Sequence, residues 1–295
     1  MFVLATARSY SSVITAMVGQ NPGLAGLPEL KLFRYRSVGE LEASLPRAWR
    51  ERGVTHRSPG AVRAVAQLVY GDQSAGAVAR AQAWLTERAH WSGADVMDVL
   101  QARISPRTAV EKSPENVMTP GAFGRLSAAY PRARYLHLVR HPASTVRSMT
   151  EHWRRTMLEE PSARLQESFV HGWLDVHQRV LRLGRTVSSG RYLRMRAEDV
   201  LNDPATRLRS IARWLGVPAD DHAVALMRHP EASPFARFGP AGVTGGSDPG
   251  FLGDPVPRRA VLPRTLGQPA GWTGDPALWS TAAALAARLG YGDDA

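Results

Sequence analysis

Along the chain, short uninterrupted apolar runs alternate with longer stretches whose apolar residues recur every three or four positions. Phe2–Ala5, Thr108–Glu111, Tyr135–Val139 and Arg191–Met195 have the length and composition of buried strands, and Leu30–Phe33 reads as another short extended piece. Helical periodicity covers about 11–20, 120–130, 143–158, 162–184, 203–215 and 277–289. Between 38 and 104 the pattern is helical throughout, in four pieces: Val38–Trp49, Pro59–Tyr70, Ser74–Ala89 and Ser92–Ile104. Ser92 and Asp95 have the spacing of a reciprocal helix cap. Strands separated by helices predict an α/β fold, a parallel sheet flanked by helices, with 38–104 as a helical insertion after the second strand. No linker-like composition flanks that insertion. Residues 233–276 are rich in glycine and proline and read as a long loop, either mobile or a lid over a site.

Two strand–helix junctions carry anion chemistry. The run Tyr135–Val139 ends in Arg140-His141-Pro142, and Ser148 follows two helical turns later. Proline fits the first turn of a helix. The helix start offers unpaired N–H groups, Arg140 a forked permanent charge and Ser148 a hydroxyl, which together make a phosphate site. The same residues also fit an ordinary junction with a surface arginine. The first apolar run leads into Thr6-Ala7-Arg8-Ser9-Tyr10-Ser11-Ser12 and then into an apolar helix. That is the architecture of phosphate-wrapping loops, without the glycines and lysine of a nucleoside-triphosphatase. No acidic residue stands out at a nearby strand end as a magnesium ligand. The loop is therefore expected to hold an anion through Arg8 and its hydroxyls, with no metal.

Composition sharpens this only in places. The chain has 295 residues, 44% of them hydrophobic, which is ample for a core. It lacks cysteine, so disulfide and thiolate-metal frameworks are excluded. No run approaches the roughly 18 apolar residues that span a bilayer, and the sequence starts directly with a strand, so we expect a cytoplasmic protein with no membrane partner. A net charge of +11 favours anionic ligands. The basic residues are scattered, however, and only 7% of the chain is aromatic, so no nucleic-acid partner is expected. Only two of the 37 basic residues are lysines, Lys31 and Lys112. A compact ammonium is not interchangeable with a guanidinium at a tight reacting centre.

Taken together, four segments resemble sulfotransferases that use 3′-phosphoadenosine-5′-phosphosulfate (PAPS). Arg8-Ser9-Tyr10-Ser11-Ser12 is similar to that family's 5′-phosphosulfate loop, usually Arg-Ser-Gly-Ser/Thr-Thr, with Tyr10 in place of the glycine. Arg140 and Ser148 have the spacing of its 3′-phosphate pair. Val110-Glu111-Lys112-Ser113-Pro114 resembles the Glu-Lys-Ser/Thr-Pro segment of the heparan-type branch. Met195-Arg196-Ala197-Glu198-Asp199-Val200 and Asp203-Pro204 resemble a late Arg-Tyr-Glu-Asp-Leu…Asp-Pro signature, with Ala197 in place of tyrosine.

The resemblance implies a P-loop-like central parallel sheet in a single sulfotransferase domain over 1–295. It also implies PAPS as donor, no metal, and a small-molecule hydroxyl acceptor such as a natural product. It assigns Glu29, within Glu29-Leu30-Lys31-Leu32-Phe33, as general base. Lys112 and Arg8 would neutralise charge on the sulfuryl oxygens and the departing phosphate. Ser9, Tyr10, Ser11 and Ser12 would line the 5′-phosphate, Arg140 and Ser148 would hold the 3′-phosphate, and Glu111 would orient Lys112. His56 and His141 sit in no matching motif. His137 reads as a core histidine, and His171 and His177 as acceptor-pocket or surface residues. Trp49, Trp84, Trp91, Trp153 and Trp173 are either acceptor-pocket walls or core. Two other classes stay open: a metal-dependent kinase-like phosphotransferase, and a non-catalytic nucleotide or nucleic-acid binder.

Overall fold

A computed structural model describes residues 1–47 and 56–292. Five short strands run parallel: β1 (Phe2–Leu4), β2 (Leu24–Gly26), β3 (Thr108–Val110), β4 (Tyr135–Val139) and β5 (Tyr192–Arg196). β4 lies between β1 and β5, and β2 pairs with β3. A bridge between Phe2 and Glu111 joins the two ladders, with the Val3 amide donating to the Glu111 carbonyl over 2.9 Å. The strand order is thus β2-β3-β1-β4-β5, a parallel sheet with helices on both faces.

The alternation along β1 builds those faces. Phe2 and Leu4 enter a cluster with Leu30, Val62, Val65, Trp84 and Leu100, so the helical insertion shares its core with the sheet. Val3 and Ala5 point the other way, to Ile14, Met17, Leu136, Leu138, Val200 and Ile211. A third cluster packs Trp173 against Trp279 and Leu285 of the last helix, Pro276–Arg288. No helix among the described residues is long and apolar enough to cross a membrane.

The predicted elements recur with two corrections. The second strand is Leu24–Gly26, not Leu30–Phe33. The latter segment is buried, but its backbone donors go to side chains rather than to a neighbouring strand: Leu30 N–H to Glu111 (3.3 Å) and Lys31 N–H to Ser113 (2.9 Å). Lys31 has φ 58°, outside any extended conformation. The helix expected over Val38–Trp49 is found over Val38–Ala43, and Trp49 lies outside the described residues. The rest of the insertion matches: Pro59–Val69, Ala75–Glu87 and Gly93–Ile104, the last with the reciprocal Ser92–Asp95 cap. Helices Ala197–Asn202 and Asp221–Met227 are too short for a helical period to be read.

A Cβ on Gly19 would lie 2.4 Å from the Gly26 Cα, so only glycine lets the helix Ser11–Gly19 pack this tightly on β2. That contact fixes the direction in which the helix start points.

Candidate functional site

The loop after β1 carries two non-glycine residues with left-handed backbone, Arg8 (φ 63°) and Tyr10 (φ 57°). Such conformations cost roughly 1–2 kcal/mol each and persist where surrounding contacts hold them. A 2.6 Å hydrogen bond between the Thr6 and Ser9 hydroxyls closes the loop inside the protein. Tyr10 is the N-terminal cap of the helix Ser11–Gly19 but makes no side-chain cap bond. Ile14 is the first residue to donate back, to the Tyr10 carbonyl over 3.1 Å. The amides of Ser11, Ser12 and Val13 therefore have no intrahelical acceptor and are available to an anion.

Arg140 leaves the end of β4, the strand beside β1. It is buried, donates from one terminal nitrogen to the Arg8 carbonyl (2.6 Å) and from the other to the Tyr10 hydroxyl (2.9 Å). Its guanidinium lies 3.9 Å from the centre of the Tyr10 ring. Nε of Arg140 is buried with no partner among the described residues. Ser148, on the helix Pro142–Met157, accepts from Nε of Arg8 (3.1 Å) rather than from Arg140. The two anion loops are thus neighbours at the carboxyl ends of adjacent strands and interlock. Burial first, and then Arg140, lowers the Arg8 pKa; burial does the same to Arg140.

Lys112, just past β3, is buried and donates to the Ser12 hydroxyl (3.0 Å) and to Oε1 of Glu29. Glu29 is held from both sides of its backbone. Its amide donates to the Gly246 carbonyl (2.7 Å), and a Cβ at Gly60 would fall 2.2 Å from its carbonyl oxygen. Oε2 of Glu29 makes no hydrogen bond among the described residues. The Glu111 carboxylate makes no hydrogen bond to Lys112. It is buried and takes the Leu30 amide, the Ser113 hydroxyl and the Asn116 amide (2.6 Å), so Glu111 fixes the segments on either side of Lys112 and Glu29. Burial pushes its pKa up to about 7, against those three hydrogen bonds.

All nine residues singled out from the sequence (Arg8, Ser9, Tyr10, Ser11, Ser12, Glu29, Lys112, Arg140 and Ser148) line one cleft of about 900 Å³. Lys31 lines it too, paired with Glu115 over 3.0 Å. Met118, Met149, Trp153, Phe169, Phe251 and Val256 give the cleft an apolar wall. Of the other aromatic candidates, Trp84 and Trp173 are core, and Trp91 packs edge-on to Trp84. His56 pairs with Glu42, His141 accepts from the Ala143 amide, and His171 is exposed. His137 and His177 are buried against each other, 2.8 Å apart, away from the cleft.

Two residues have site roles that the sequence did not assign, Asp248 and Glu198. Asp248, in the glycine- and proline-rich segment, pairs with Arg8, and its amide donates to the Ser12 hydroxyl (3.3 Å). Asp248-Pro249 is a helix-start signature, but nothing local points to a partner 240 positions away. Glu198 accepts from the His141 amide (2.9 Å) and sits 2.8 Å from the Tyr291 hydroxyl, bracing the loop that presents Arg140. Of the cations Arg8, Lys31, Lys112, Arg140 and Arg258 that line the cleft, only Arg140 lacks a carboxylate partner among the described residues.

Comparison with known proteins gives the family and the fold. The family model described as "Sulfotransferase family" matches residues 1–221, from the first strand to past the Glu198 segment. Among solved structures, the sulfotransferase domain from the curacin biosynthetic pathway superposes with TM-score 0.78 at 22% identity, covering 98% of this chain and 96% of that one. The sulfotransferase domain from the Synechococcus PCC 7002 olefin synthase superposes with TM-score 0.72 at 26% identity, covering 97% and 93%. No curated protein matches. With the family model matching three quarters of the chain and a P-loop-like parallel sheet, this chain is a member of the sulfotransferase family.

Proposed function

We propose that the chain moves a sulfuryl group from PAPS to a hydroxyl of a small-molecule acceptor. The observation that carries this reading is the interlocked pair of anion loops, one with free helix N–H groups and the other with an arginine that has no carboxylate partner among the described residues, beside a lysine–glutamate pair. The 5′-phosphosulfate would rest on the amides of Ser11, Ser12 and Val13, with Ser9, Arg8 and Lys112 around it. Arg140, with Tyr10 and Ser148, would take the 3′-phosphate.

In the reaction, the acceptor oxygen attacks sulfur in line. The bond between sulfur and the 5′-phosphate oxygen breaks, and the acceptor proton passes to Oε2 of Glu29. A loose transition state asks the protein mainly for alignment and charge neutralisation. Lys112 touches both the loop and the base, so it can follow charge as it moves to the leaving phosphate. A sulfuryl group carries less negative charge than a phosphoryl group, so cationic side chains suit the role that magnesium has in kinases.

We read 1–295 as one cytoplasmic domain with 233–276 as its lid. The apolar wall favours a small natural product as acceptor, in keeping with two structural neighbours named for biosynthetic enzymes. A thermal-shift screen tests the donor first. Adenosine 3′,5′-bisphosphate should raise the Tm more than 5′-AMP does, with no magnesium. Stabilisation by magnesium–ATP alone would favour a kinase, and salt-sensitive DNA binding with no preference for the 3′-phosphate would favour a binder.

A further inference from the structure

We propose that Tyr10 is the residue through which this chain selects a 3′-phosphorylated donor, by holding Arg140 in register and adding its own hydroxyl to the anion. The inference rests on the donor reading above. It starts from a residue whose backbone is in the wrong conformation for its side chain. Tyr10 sits at φ 57°, where the loop pattern of the family has glycine and where a glycine would carry no strain. Strain of this kind is retained when the side chain gains something by it.

The gain is visible in the contacts. The Tyr10 ring lies under the Arg140 guanidinium at 3.9 Å, and its oxygen accepts from a terminal nitrogen at 2.9 Å. The opposite terminal nitrogen is fixed by the Arg8 carbonyl at 2.6 Å. One face and two N–H groups of the guanidinium are therefore committed before any ligand arrives. Of the three N–H groups that remain, Nε–H is buried and unpartnered. Because the phenol oxygen already accepts from Arg140, its O–H proton is left to donate. Nε–H and the Tyr10 O–H then form a two-point donor set, and a phosphate supplies acceptors for both. Preorganisation matters here because a free arginine would lose rotamer freedom on binding. Ser148, whose oxygen accepts from Arg8, keeps its own O–H proton and can add a further donor to the same anion.

Calorimetric titration of the full chain with adenosine 3′,5′-bisphosphate and with 5′-AMP tests this, using Tyr10→Phe, Tyr10→Gly and Arg140→Ala. Tyr10→Phe keeps the ring over Arg140 and loses the hydroxyl. Its Kd for the bisphosphate should rise about tenfold, as for a lost hydrogen bond to a charged group, while 5′-AMP changes less than about twofold. Tyr10→Gly relieves the backbone strain, so its Tm should hold or rise, yet it should lose more of the bisphosphate preference than Tyr10→Phe. A purely structural tyrosine would move the Tm or both nucleotides together. If both Tyr10 variants keep the wild-type preference while Arg140→Ala loses it, the Tyr10 proposal is wrong and the donor reading stands. If Arg140→Ala also keeps it, both fall.

Discussion

Lys112 holds Ser12 of the anion loop and Glu29 at once, a geometry that asks for a compact ammonium. Lys112→Arg keeps the charge but brings a planar fork that does not fit a buried point contact. Turnover with PAPS should fall at least about 100-fold, measured as release of adenosine 3′,5′-bisphosphate. Glu29→Gln should cut turnover about 10²–10⁴-fold, while the Kd of the bisphosphate stays within about threefold; unchanged turnover would remove Glu29 as the base. At this scale the sequence was most informative where the chemistry is local. Arg8, Arg140 and Ser148 lie within short strand–loop–helix segments and could be read there. Lys112 stood out because lysine is rare in this chain. The roles of Asp248 and Glu198 could not be read, because each acts on a group brought to it only by the fold.

Among elements, the segment between β2 and the insertion shows why burial alone misleads. Leu30, Leu32 and Phe33 are as buried as strand residues, yet the segment is tied by Glu111 and Ser113 side chains instead of a ladder. Apolar content is legible in sequence; the hydrogen-bond partner that turns a run into a strand is not. Glu111 makes this tie pH-dependent. Its folded pKa lies near 7, above its unfolded value, so the folded state keeps the proton longer. Its contribution is fully present below about pH 4.5 and is lost as pH rises through about 7. Glu111→Gln should remove that loss, so urea unfolding of the variant should fall off less between pH 5 and 8 than wild type; parallel curves would contradict it. The 233–276 segment places Asp248 on Arg8, where the donor's phosphosulfate would carry its charge. Asp248→Asn should therefore tighten adenosine 3′,5′-bisphosphate severalfold in a titration, and weaker binding would make Asp248 part of the donor site instead.

Across the whole molecule, the parallel order and the helical insertion followed from the alternation of short apolar runs with helical periodicity. The strand order did not, since it depends on a bridge between Phe2 and Glu111, 109 positions apart in sequence. The molecule also buries a histidine pair away from the cleft. His137, on β4, and His177 pack between Tyr192 and Trp173. Burial holds His177 down at about 3 and His137 well below its ordinary value. Both stay neutral in the fold and take up protons on unfolding, so stability is lost as pH falls below about 6.5. His177→Gln should reduce that slope by close to one proton, about 1.4 kcal/mol per pH unit, in urea titrations between pH 6 and 4. An unchanged slope would place the acid sensitivity elsewhere.

The central claim is that two interlocked loops at the ends of β1 and β4 receive the two phosphates of one adenosine nucleotide. A crystal structure with adenosine 3′,5′-bisphosphate tests it most directly. The account predicts the 5′-phosphate on the amides of Ser11, Ser12 and Val13, and the 3′-phosphate within hydrogen-bond distance of Arg140 Nε. A nucleotide bound in the reverse sense, or outside the cleft, would contradict it.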